Sequence, residues 1–60
     1  MRFTIPQSSL IIEIVKIRFR HKAYFKAKVN WIDKSSGKII HCDRNLKIPK
    51  ECFQFWERIP

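Results

Sequence analysis

From Val15 the chain alternates apolar and charged residues, with Val15, Ile17 and Phe19 on one side of an extended segment and Lys16, Arg18 and Arg20 on the other. This is the period-two pattern of a half-buried strand. Upstream, Leu10, Ile12 and Ile14 are apolar at even positions, so the apolar face changes sides near Glu13 and Ile14. A bulge or sharp bend there reconciles the two phases, as at the corner of a small barrel. A second alternating run sets Phe25, Ala27, Val29 and Trp31 against Tyr24, Lys26, Lys28 and Asn30. Its β-branched and aromatic content suits a strand.

The connection around His21, Lys22 and Ala23 contains no Gly or Asn-Gly, so its turn type is not announced. Parity still constrains it, because residues opposed across an antiparallel pair share one side of the sheet. Joining the two apolar faces needs an odd loop. A loop of three residues pairs Arg20 with Tyr24, Arg18 with Lys26 and Lys16 with Lys28. A loop of five pairs Arg20 with Lys26, Arg18 with Lys28 and Lys16 with Asn30.

The stretch Asp33-Lys34-Ser35-Ser36-Gly37-Lys38 reads as a hairpin loop, since Asp and Ser favour type I corners and Gly takes the left-handed position. With four loop residues, Trp31 faces Ile40 and Val29 faces Cys42, and a third strand runs over Lys38 to Arg44. A one-residue slip brings in His41 and Asp43, a poorer apolar match. Pro49 suits the first turn of a terminal helix, on which Cys52, Phe53, Trp56 and Ile59 form an apolar stripe. Glu51 to Trp56 also fits a strand. Arg2 to Ile5 predicts a short edge strand ended by Pro6. The expected fold is β-rich α+β: a small twisted antiparallel sheet of three or four strands, or an open SH3-like barrel, with a short C-terminal helix, in one domain over residues 1–60.

Size and charge then narrow the function. A chain of 60 residues buries only roughly 60% of the surface its unfolded form exposes, too little for a deep catalytic cleft. Thirteen Lys and Arg against five Asp and Glu give a net charge of +8. The 45% apolar content separates the chain from a disordered basic tail. Its longest near-continuous apolar run, Leu10 to Val15, already holds Glu13 and is far too short to span a bilayer. No secretory pattern opens the sequence, so the expected compartment is the cytoplasm, with no membrane partner.

Site chemistry is thin. Bridging Cys42 to Cys52 would add roughly 2–3 kcal/mol to a small core, but a reducing cytosol favours two thiols. His21, His41, Cys42 and Cys52 lack the paired spacing with which one turn grips zinc, so no metal or cofactor is expected. There is no Gly-rich phosphate loop and no obvious carboxylate pair. His41 and Cys42 are strand neighbours pointing to opposite faces, unable to form a nucleophile and base. Neither an enzyme nor a small-molecule substrate is expected.

What stands out is the outward face of the first hairpin: Lys16, Arg18, Arg20, Lys26 and Lys28, with His21 and Lys22 at its end and Tyr24 at the same parity. Like charges opposed on a sheet weaken it, and an external polyanion relieves the repulsion. The backbone of DNA or RNA does so without regard to sequence, by counterion release, and Tyr24 offers a ring for base stacking. The plain alternative is a solvated face that keeps a small sheet soluble and guards its edges. Trp31, Trp56, Phe19, Phe25 and Phe53 are expected in the core. In size, basicity and hairpin-plus-helix layout the chain is similar to small archaeal chromatin proteins, a likeness of layout only. A second functional class uses the same cations to dock on an acidic surface of a larger protein, as a regulator or a virus- or mobile-element-encoded inhibitor would. Tyr24 or Phe55 would anchor such a contact, and a free sheet edge could pair with a partner strand.

Overall fold

The two alternating runs become long neighbouring strands of a computed structural model that describes residues 1–60. The strands are β1 (Arg2–Thr4), β2 (Leu10–Arg20), β3 (Tyr24–Asp33), β4 (Ile39–Pro49) and β5 (Glu57–Ile59), with a 3-10 turn at Lys50–Gln54 before β5. They form one open antiparallel sheet in the order β4-β3-β2-β1-β5. The fold is thus small and β-rich as expected, but it has five strands and no true helix.

The C-terminal difference has a local cause. Phe55 and Trp56 both donate their N–H to the Cys52 carbonyl, closing the turn tightly after Pro49. The chain then extends, because β1 has a free side on which Arg2, Phe3 and Thr4 pair with Ile59, Arg58 and Glu57. β1 is therefore an interior strand rather than the expected edge. The edges are β4 and the very short β5, whose Glu57 and Arg58 are exposed, a composition that discourages edge-to-edge pairing.

Two bulges shape β2. Pairing steps from Ile14↔Val29 to Lys16↔Lys28, and from Ile17↔Ala27 to Phe19↔Lys26, so Val15 and Arg18 are extra residues. The first bulge is the expected phase change, displaced to Val15, which lies exposed. The second is new. It carries Phe19 to the outer side opposite Lys26 and turns Arg20 to the core side opposite Phe25.

The turn explains this second bulge. His21 N–H donates to the Tyr24 carbonyl at 2.9 Å, and Ala23 N–H to His21 Nδ1 at 3.2 Å. That closure fixes Arg20 opposite Phe25. The parity mismatch is absorbed inside β2 and not by an odd loop, so neither expected register holds throughout. The Lys16–Lys28 pair of the shorter-loop register is present; the Arg20–Tyr24 and Arg18–Lys26 pairs are not.

At the second hairpin the loop forms as expected. Gly37 has φ +74°, and Asp33 N–H donates to the Lys38 carbonyl at 2.9 Å. The expected register begins at Ile32↔Ile39, then slips by one at Ile40, giving Trp31↔His41 and Val29↔Asp43. This is the pairing that apolar matching disfavours. It is stabilised by polar bonds: Trp31 Nε1–H donates to Asp43 Oδ2 at 2.8 Å, and His41 Nε2 lies 3.2 Å from Asp43 Oδ1. A half-buried indole N–H needs an acceptor, and only the slipped register brings one.

Phe3, Ile12, Ile14, Phe25, Ala27, Val29 and Ile48 make the core on one face of the sheet. Its cover is thin. The 3-10 turn supplies Phe53, stacked on Phe25 at 5.3 Å and tilted against Phe3 at 5.0 Å, with Trp56 edge-on to Phe53 at 5.6 Å. Trp31 also packs on this cluster. The core roles expected for Phe25, Phe53 and both Trp residues therefore hold, and that expected for Phe19 does not. Cys52 packs beside the same cluster, while Cys42 lies across from Asn30 on the opposite face. Both thiols are free.

Candidate nucleic-acid interface

The opposite face of β2, β3 and β4 gathers the cations. Lys26 and Lys28 are positioned by β3, in which Phe25, Ala27 and Val29 are buried while Lys26 between them is half-buried and Lys28 exposed. Lys16 lies directly opposite Lys28, and on the other side of β3 Lys47 lies directly opposite Lys26. A bulge in β4 between Leu46 and Asp43 brings Arg44 and Asn45 opposite Lys28. Arg18, Phe19, Tyr24, Lys26, Arg44 and Asn45 together line a shallow open groove of about 690 Å³.

Of the residues expected at this surface, Lys16, Arg18, Tyr24, Lys26 and Lys28 are brought together. Lys22 is exposed at the tip of the β2–β3 turn, beside the face and not on it. Arg20 is separated from the group: it borders an apolar hollow with Phe3, Ile17, Phe25, Lys50 and Phe53 on the core side. The second bulge is the cause, since one inserted residue reverses the side on which the next one points.

Four residues of the site were not foreseen. Arg44, Asn45 and Lys47 come from β4, which was expected to end at Arg44 but extends to Pro49, the expected start of the terminal helix. The signal was present in the alternation of Asn45, Leu46, Lys47 and Ile48, which continues the strand period. Phe19 is the fourth, 49% exposed among the cations. Nothing in its own strand's pattern points outward, because the alternation from Val15 to Arg20 is unbroken.

Tyr24 is already engaged on this surface. His21 stacks on its ring at 4.6 Å between centroids, Lys47 Nζ sits 4.4 Å from the ring centre, and Phe19 approaches at 6.2 Å. The Lys47 contact is a cation–π interaction, of order 0.5–1 kcal/mol at an exposed site. It holds one cation of the face in a defined place.

No carboxylate neutralises these charges. The ion pair of the structure is Arg2–Glu13, and Asp43 Oδ1 lies 3.2 Å from His41 Nε2. Glu13, at the far end of the face, accepts from Asn30 Nδ2 at 3.0 Å and Arg2 Nε at 2.8 Å, and these bonds hold its carboxyl below the usual 4.5. The indole N–H of Trp31, followed by His41, keeps Asp43 below its ordinary value. Asp33 is turned into its own loop, where the Ser36 and Ser35 hydroxyls donate to it and lower its pKa. Glu51 lies in the 3-10 turn and Glu57 on β5. Lys16, Arg18, Lys26, Lys28, Arg44 and Lys47 thus make a strip of six cations without an ionic partner.

Comparison with protein families, with characterised proteins and with solved structures finds no match for this chain.

Proposed function

We propose that this protein is a small non-enzymatic nucleic-acid-binding module that holds the phosphate backbone of DNA or RNA against the outer face of β2, β3 and β4. The observation that carries the reading is the unpaired strip Lys16, Arg18, Lys26, Lys28, Arg44 and Lys47. Two of its cross-strand pairs, Lys16–Lys28 and Lys26–Lys47, set like charges directly opposite each other, which a sheet tolerates at a loss. A polyphosphate reverses that loss and gains counterion entropy besides. Arg18 and Arg44 add planar donors suited to phosphate oxygens. Backbone contacts of this kind position a ligand without reading its sequence.

The connectivity supports reading the sheet as an opened SH3-like barrel, a meander of β1 to β4 after which β5 returns to pair with β1. The cytoplasm, where Cys42 and Cys52 stay reduced, is the compartment that fits.

The test is a fluorescence-anisotropy titration of labelled oligonucleotides over a series of salt concentrations. The logarithm of the duplex affinity should fall with the logarithm of salt at about −0.9 per phosphate contacted, so at about −5 if all six cations engage. Absence of binding at low salt overturns the reading. It would favour docking on an acidic protein surface, for which the specific observation is the exposed apolar set Ile39, Ile40 and Phe55, the first two on the free edge of β4.

A further inference from the structure

We infer that Phe19 is a stacking platform for an unpaired base, which makes single-stranded nucleic acid the preferred ligand of the cationic face. The inference rests on the phosphate-binding reading above and adds the class of strand. Phe19 is 49% exposed, although burying a side chain of its size stabilises a core this small. The unbroken alternation of β2 would bury it beside Ile17 if pairing ran without interruption. Instead, the bulge at Arg18 lifts it to the outer side opposite Lys26 and sends Arg20 inward. A cation and an aromatic ring have changed places, with the ring arriving in the groove lined by Arg18, Lys26, Arg44 and Asn45.

Tyr24 is the less available ring. A base stacking on it must displace His21 or Lys47, each within 4.6 Å of the ring centre. Its role is to buttress Phe19, whose ring meets it at a tilt of 37°. Phe19 itself is flanked by donors and not covered by them. Stacking of this kind accepts any base, because every base has a π face, and cations alongside track the backbone. In a duplex the bases are stacked on one another, so a side chain on a sheet face reaches phosphates only. The ring therefore gains with single strands and not with double strands.

The experiment compares a labelled oligo(dT) strand with a mixed-sequence duplex at one salt concentration, using the whole chain and the variants Phe19→Ala, Phe19→Leu and Phe19→Trp, each checked for its fold by circular dichroism. Phe19→Ala should weaken oligo(dT) binding by roughly five- to 150-fold and change duplex binding less than about twofold. Phe19→Leu should lose most of the same affinity despite its apolar bulk, since it has no π face. Phe19→Trp should keep the affinity, and its added indole emission should be quenched by the strand. If the parent binds both oligonucleotides and Phe19→Ala weakens neither, or both equally, Phe19 is not a stacking platform, while the phosphate reading stands. If the parent binds neither, both fail together.

Discussion

Replacing Lys28 by Glu should make the protein more stable and less able to bind. Lys28 is exposed and lies directly opposite Lys16, with the Arg44–Asn45 bulge of β4 on its other side. Two unit charges about 6 Å apart in water repel by about 0.7 kcal/mol, and the substitution turns this repulsion into attraction. Screening and side-chain freedom reduce the gain, and measured cross-strand charge pairs are worth about 0.2–1 kcal/mol. A net stabilisation of about 0.5–1 kcal/mol follows at low salt. A domain of this length has a total stability of only about 3–9 kcal/mol, so the effect corresponds to a rise in Tm of about 2–8 °C. Thermal melts followed by circular dichroism should show the rise at low salt and lose it near 1 M, where the Debye length is about 3 Å. Anisotropy titrations on the same samples should show weaker oligonucleotide binding, with a duplex salt slope shallower by about 0.9. A lower Tm at low salt would refute the repulsion argument. Raised stability with unaltered binding would show the cations to be a solvated face.

Two further predictions concern the fold. The carboxyls of Glu13 and Asp43 are held below their ordinary values of 4.5 and 3.8, first by the bonds from Asn30 and Trp31 respectively. A depressed folded pKa contributes stability that is present above the unfolded value and lost as pH falls through the folded one. Tm should therefore be level from neutrality to about pH 4.5 and then fall, and Glu13→Gln should lower the neutral plateau and make the acid fall shallower; identical acid profiles for the two proteins would contradict this. Gly37 has φ +74° and open space where a Cβ would stand, so Gly37→Ala carries only a backbone penalty, of about 1 kcal/mol, and Gly37→Asn a smaller one. A urea melt showing the Ala variant as stable as the parent would remove that argument.

How much of this molecule could be read from its residues depends on whether a pairing decision was local. The phase break between Ile14 and Val15 lies within one strand, so the first bulge was legible as a change of parity. The second was not, because Val15 to Arg20 alternates without a fault and its register is imposed from outside by the His21–Tyr24 closure. Apolar matching likewise misjudged β4: it counted Trp31 as grease and overlooked the indole N–H that draws Asp43 across. At the C-terminus Cys52, Phe53 and Trp56, three of the four residues of the expected stripe, pack on the core, although a 3-10 turn rather than a helix delivers them. The fourth, Ile59, lies on β5 and pairs with Arg2 instead. The same distinction governs the cationic face. Its β3 cations follow from alternation alone and were legible, whereas Arg18, Phe19, Arg20, Arg44 and Asn45 take their places through bulges in the neighbouring strands. A bulge is where a sheet can change which side chain it presents without changing its length. In this protein the bulges bring Arg44 to the face and exchange Arg20 for Phe19, so the residues hardest to foresee are the ones on which the proposed preference for a single strand rests.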